Sequence, residues 1–303
     1  MGQKASPLSG GRSQYSLGVL FAVVASAVFG MIPLFSLPLM RAGMAVSSIV
    51  CYRFALSTVA LGVLLALRRT SFRITFPQFL SLLGLAVFYA LTALLLTASY
   101  KYIPTGISTT IHFLYPVMVA LLTIFLFKGK VSPVIVVAIA LAIAGVALLS
   151  LSGLKAQNID PKGIAVVLAT VVTYGSYLAW LPNSRVKGMD GTKITFWLVF
   201  NCTWLFALHI LITEGPHGFS AVPDGHCALN LILLALLPTL VSNLTLVQAV
   251  QRIGSTATSV LGSLEPLTAL LIGLLVFHEH CTPMQFAGIL VVIAAVILVI
   301  VRK

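Results

Sequence analysis

"IPTGISTTIHFLYPVMVALLTIFLFKGKVSP" (residues 103–133) and "IGSTATSVLGSLEPLTALLIGLLVFHEHCTP" (residues 253–283) align without a gap at an offset of 150. Six positions are identical: Ile103/Ile253, Leu114/Leu264, Pro116/Pro266, Leu121/Leu271, Phe127/Phe277 and Pro133/Pro283. Four more exchange Ser for Thr. Upstream, Gly18 and Gly30 match Gly163 and Gly175 at an offset of 145, so the second copy has gained five residues, most simply in the loop between its second and third spans. Two prolines and two glycines in register are more than shared apolarity explains.

The repeat lies in a chain of 303 residues that is 59% hydrophobic and 8% charged, a balance no water-soluble domain could bury. Apolar runs of about 20 residues, the length that crosses a bilayer, recur from Tyr15 to Val301. They read as ten spans near 15–39, 45–67, 78–99, 103–127, 131–151, 162–182, 193–212, 228–250, 254–277 and 282–301. The expected fold is an all-α integral membrane protein in which a short tail (1–14) precedes two five-helix repeats (15–151 and 162–301). An odd number of spans per copy turns the second upside down relative to the first. Inverted repeats are the architecture of secondary transporters, whose two halves exchange conformations around a central site.

The tail MGQKASPLSGGRSQ lacks the apolar core and cleavage site of a signal peptide. Of the eighteen Lys and Arg residues, thirteen fall in segments on the side of the N-terminus, four on the other side, and Arg53 inside the second span. That bias places both termini in the cytoplasm and puts Cys227, in the loop before the eighth span, outside. The net charge of +12 therefore reads as an orientation signal, and no nucleic-acid partner is expected. The four cysteines form no CxxC pair.

Polar residues inside the spans are the candidates for a site, because a buried polar group in lipid is costly without a cavity or a partner. Ser108, His112 and Tyr115 fall at i, i+4 and i+7 of the fourth span, and their repeat mates Thr258, Gly262 and Glu265 mirror them on the ninth. Inter-helix hydrogen bonding would use the same residues. Tyr174 and Tyr177 lie on an aromatic face of the sixth span with Thr173, while Trp180 near its end suits an interfacial belt. Asn243 follows Pro238 in the eighth span, with Thr239 and Ser242, where a kinked or unwound segment would offer free carbonyls to a ligand and an inter-helix hydrogen bond is the alternative use. Arg53 is close enough to the end of its span to snorkel, with pairing to a carboxylate or an anionic substrate as the alternative role. His278, Glu279 and His280 resemble a metal cluster, but residues two apart on a helix face different ways, so no metal is expected. No HExxH, GxGD or serine elbow points to an intramembrane enzyme, and neither a catalytic residue nor a cofactor is expected. A non-transporting scaffold or sensor is the remaining rival.

Glu265 stands near mid-membrane, followed by Pro266. Pro266 removes the donor that would bond the Gly262 carbonyl, leaving an acceptor beside the carboxylate, and the pair reads either as a binding site for a substrate amine or a coupled proton or as a structural pin with the proline shaping a kink.

A span that opens on Gly18 and closes on Phe29-Gly30, its copy Gly163 to Tyr174-Gly175, Arg53-Phe54 in the second span, and Ser263-Leu264-Glu265-Pro266 with Glu279 beyond it together resemble the drug/metabolite transporter superfamily, in its ten-span EamA branch. The first repeat departs from the family at Tyr115-Pro116 and at Lys128-Gly129-Lys130. The resemblance implies a carrier of the bacterial inner membrane for a small metabolite, often an exporter. Tyrosines and tryptophans with few charges suit an amino acid or a drug-like amine, with a proton as the candidate coupling ion.

Overall fold

The computed structural model describes residues 8–99, 102–103, 105–151, 160–276 and 282–301. The 278–280 triplet and Cys281 lie outside them. Among the described residues thirteen α-helices follow one another: α1 (Leu8–Phe29), α2 (Ile32–Arg41), α3 (Val46–Leu67), α4 (Phe76–Ser99), α5 (Thr105–His112), α6 (Tyr115–Phe125), α7 (Pro133–Leu151), α8 (Pro161–Trp180), α9 (Gly191–Thr213), α10 (Gly225–Leu234), α11 (Ser242–Leu261), α12 (Leu264–Val276) and α13 (Pro283–Val301). No strand occurs among the described residues.

The helices outnumber the ten spans because several spans are broken at mid-depth. Prolines cause this: Pro33, Pro116 and Pro266 each sit in the first turn of a new helix, where a missing amide hydrogen leaves nothing unsatisfied. The first span is thus α1 plus α2, the fourth is α5 plus α6, and the ninth ends in α12. Pro238 acts differently, within a π-helical stretch (Ala235–Val241) that joins α10 to α11. Gly254, at φ 79°, separates the eighth span from the ninth inside α11, a conformation open to glycine without strain. The expected ten spans are there, with their interiors segmented.

The inverted symmetry is visible atom by atom. A Cβ at Gly18 would lie 2.6 Å from Ile253 Cγ2, and one at Gly163 would lie 2.7 Å from Ile103 Cγ2. Residues 253 and 103 are themselves repeat mates. Gly30 packs against the carbonyl of Glu265 and against Thr268, while Gly175 packs against Met118 and Tyr115, again mates at the 150 offset. Each half therefore lays its first span on the fourth span of the other half. Glycine permits the close approach, which is how helices gain contact where lipid supplies no hydrophobic drive. The second spans of the two halves, α3 and α9, pack on each other, as do the fifth spans, α7 and α13.

A second, smaller apolar cluster stands apart from the main core: Phe35, Leu39, Met44, Ile49, Cys227, Leu231 and Leu234, joining α2, α10 and the start of α3. Cys227 is therefore 5% exposed in the first turn of α10 and not the free loop thiol the sequence suggests. Asp224 caps that helix, accepting from the Cys227 amide at 2.7 Å, and starts it earlier than apolarity alone implies.

Candidate functional site

A cavity of about 360 Å³ lies between the two repeats. Its floor, at mid-depth, is formed by Phe29, Gly30, His112, Tyr115, Glu265 and Pro266, all at or beside helix breaks. Its walls rise along Ile32, Ser36 and Met40 of α2, Val46, Ile49, Val50 and Arg53 of α3, and Leu234 of α10, toward the end of the bundle that carries the α2–α3 turn. Mostly apolar walls with a few converging polar groups are the usual make-up of a small-molecule site.

His112 Nδ1 lies 2.7 Å from Thr170 Oγ1. The Thr170 hydroxyl already donates to the Val167 carbonyl at 2.6 Å, so the imidazole must donate, which leaves Nε2 as an acceptor. The Tyr115 hydroxyl donates to the Ser259 carbonyl at 3.3 Å and occupies the space a side chain at Gly262 would need. Gly262 is the repeat mate of His112, so the glycine is what admits the tyrosine. Glu265, the mate of Tyr115, and His112, the mate of Gly262, both line the cavity. Behind them the rings of Tyr115 and Tyr174 meet edge to face at 4.7 Å, and Tyr174, Tyr177 and Tyr89 stack in turn.

Three of the eight candidates thus reach the cavity: His112, Tyr115 and Glu265. Ser108 is buried and shares a hydrogen bond with Ser99. Thr258 donates to the Gly254 carbonyl at 2.8 Å and Asn243 to that of Thr239 at 2.7 Å, each one turn back along its own helix. Tyr174 and Tyr177 are packed below the floor. The Ser108-to-Tyr115 stripe is not one helical face, because α5 ends at His112 and α6 begins at Tyr115. Two expectations about free carbonyls are corrected. The Glu265 amide donates to the Gly262 carbonyl at 2.9 Å, so Pro266 leaves no vacant acceptor there. In the π-helical stretch the carbonyl of Leu234 is taken by Thr239 and that of Pro238 by Ser242.

Arg53, read from the sequence chiefly as a snorkelling residue, lines the cavity. Its guanidinium carbon lies 5.0 Å from the Phe54 ring centre and its side chain lines the cavity wall rather than reaching for the membrane surface. The available signal was its charge inside a span.

Residues 16–151 and 161–301 each match the EamA-like transporter family. The chain belongs to that family. Among the proteins this EamA chain is similar to are protein PecM of Dickeya dadantii, 27% identical over 225 residues that make up 73% of this chain and 71% of PecM. An uncharacterized transporter of Synechocystis, sll1319, is 25% identical over 221 residues, 71% of this chain and 65% of the relative's length. A solved crystal structure superposes with a TM-score of 0.78 over 93% of this chain and 96% of that one, at 17% identity, which establishes a shared fold. This EamA chain is thus a multi-pass membrane protein of a transporter family within the drug/metabolite transporter superfamily.

Proposed function

We propose that this chain is a secondary transporter that works by alternating access, with the cavity as its substrate site, held in the state reachable from the α2–α3 end. One observation carries the reading: first-repeat positions that open onto the cavity have repeat mates that are packed shut. The cavity's half-buried wall residues Ile32, Ser36 and Arg53 have repeat mates Tyr177, Leu181 and Leu198, each no more than 2% exposed. Two halves of one architecture hold an open and a closed arrangement side by side, so exchanging them would move the opening to the other end. The halves 15–151 and 162–301 are the units that exchange.

Charge placement puts the open end outside the cell, with both termini in the cytoplasm of a bacterial inner membrane. The cavity suits a small metabolite such as an amino acid or a drug-like amine, with Glu265 meeting the amine or carrying a coupled proton. Export is the direction implied by the resemblance. The test is flux of labelled phenylalanine, leucine and phenethylamine in proteoliposomes, for the natural chain and for Glu265→Gln across pH. Flux above empty vesicles, with a pH profile flattened by the substitution, is the expected result. Flux of none of the three removes the substrate reading; an unchanged profile returns Glu265 to a structural part.

A further inference from the structure

Away from the cavity, a groove of about 760 Å³ runs along the outside of α4, lined by Phe76, Ser81, Gly84 and Val87 and ending at Trp180 and Arg185 beyond the close of α8. A Cβ at Gly84 would meet nothing within 4 Å. The inverted repeat shows that the fold does not require this gap. At the 150 offset Ser81 and Gly84 correspond to Leu231 and Leu234, which are buried against Phe35 and Leu39. Phe35 is in turn the mate of Trp180, which is 46% exposed. Where the third span of the second repeat fills the space against the first span of the first repeat with leucines, the mirrored space between the third span of the first repeat and the first span of the second is left open by serine and glycine.

Length and charge point to the occupant. From Phe76 to Val87 the groove rises about 16 Å at ~1.5 Å per residue, which is one leaflet of a hydrocarbon core ~30 Å thick. Trp180, its ring 5.9 Å from that of Phe88, closes the inner end of the groove, while Arg185, exposed beyond the close of α8, supplies the cation of the kind that meets headgroups at a span end. Lys187 is exposed two residues on. A guanidinium forks onto phosphate oxygens, and a second cation nearby favours a headgroup with no compensating ammonium.

We propose that this groove is a lipid site that holds one acyl chain of an anionic glycerophospholipid, with its phosphate on Arg185. The test is native mass spectrometry of the full chain, delipidated in detergent and offered equal amounts of phosphatidylglycerol and phosphatidylcholine with identical chains. The natural protein should retain the anionic lipid about fivefold over the zwitterionic one, the preference a single basic residue confers. Gly84→Leu or Ser81→Leu, which restore the leucines of the other half, should abolish retention of both. Arg185→Gln should keep a lipid and bring the two to parity. Equal retention by the natural protein, no retained lipid at all, or undiminished retention by the leucine variants would overturn the site.

Discussion

Tyr52 and Trp197 occupy the same position in the two repeats, and each donates its side-chain hydrogen to a main-chain carbonyl of the opposite half: Tyr52 Oη to Ser220 at 2.8 Å, Trp197 Nε1 to Phe72 at 3.2 Å. Each loop is also held by aromatic contact, Phe219 on Tyr52 and Phe72 on Phe196. The Ser220 hydroxyl accepts from the Ala45 amide, and the Ser48 hydroxyl donates to Gly218 while accepting from Ser220. The α3–α9 pair is therefore clasped at both ends by a loop from the other repeat. Tyr52→Phe and Trp197→Phe should each lower stability by about 1 kcal/mol, the net worth of one hydrogen bond, and add in the double variant because the sites are far apart. Thermal unfolding in detergent reads both. Strong non-additivity would mean that the two clasps act as one.

Gly262→Ala should be far more damaging than alanine in a helix break normally is, since the new methyl would occupy the place of the Tyr115 hydroxyl. Overpacking of this kind costs about 1–3 kcal/mol. Removing the hydroxyl's reach with Tyr115→Leu should recover much of the loss, so the double variant would be more stable than the sum of the singles implies. A cycle of four melting curves decides it.

Ser36 and Leu181 are repeat mates on the open and the packed side. With the four native cysteines replaced, Ser36→Cys should react quickly with a water-soluble thiol reagent and Leu181→Cys slowly. A transported substrate should raise the rate at Leu181→Cys and lower it at Ser36→Cys. Rates that rise or fall together would contradict exchange between the halves. Native Cys227, enclosed by α2 and α10, should itself label slowly in the folded protein.

Asp224 is held below its ordinary carboxylate range by the Cys227 amide that it caps. A depressed folded-state value means that the cap stabilises fully above the usual Asp range, and that this contribution disappears as pH falls through the lowered value. Asp224→Ala should thus lower the melting temperature at neutral pH, and the gap to the natural protein should close on acidification. A gap independent of pH would show that ionisation of the cap contributes nothing.

The repeat, the spans and their inverted relation were legible in the sequence because glycines and prolines recur in register and apolar length is set by the bilayer. The breaks at Phe113–Leu114 and Gly262–Ser263 were not, since a proline inside an apolar run signals a bend without saying whether the helix restarts. His112 and Glu265 stood out as ionisable groups in apolar spans, where a partner or a cavity is obligatory. Thr258 and Asn243 stood out for the same reason, yet neither lines the cavity, and each donates to a carbonyl one turn back along its own chain. The snorkelling reading of Arg53 rested on depth along a span, which does not reveal whether lipid or a gap between helices lies beside it.

The crossed pairing of first and fourth spans sets a timetable for biogenesis. When the ribosome has delivered α1 to α7, the Gly18 and Gly30 face of α1 has nothing to seat on, because its seats are Ile253, Glu265 and Thr268, more than two hundred residues downstream. The nascent first half must remain in the membrane with an unsatisfied helix surface until the second half has inserted in the opposite sense. Two separately synthesised halves would accordingly be orphans that each quality-control protease could find, and they would persist only as a pair.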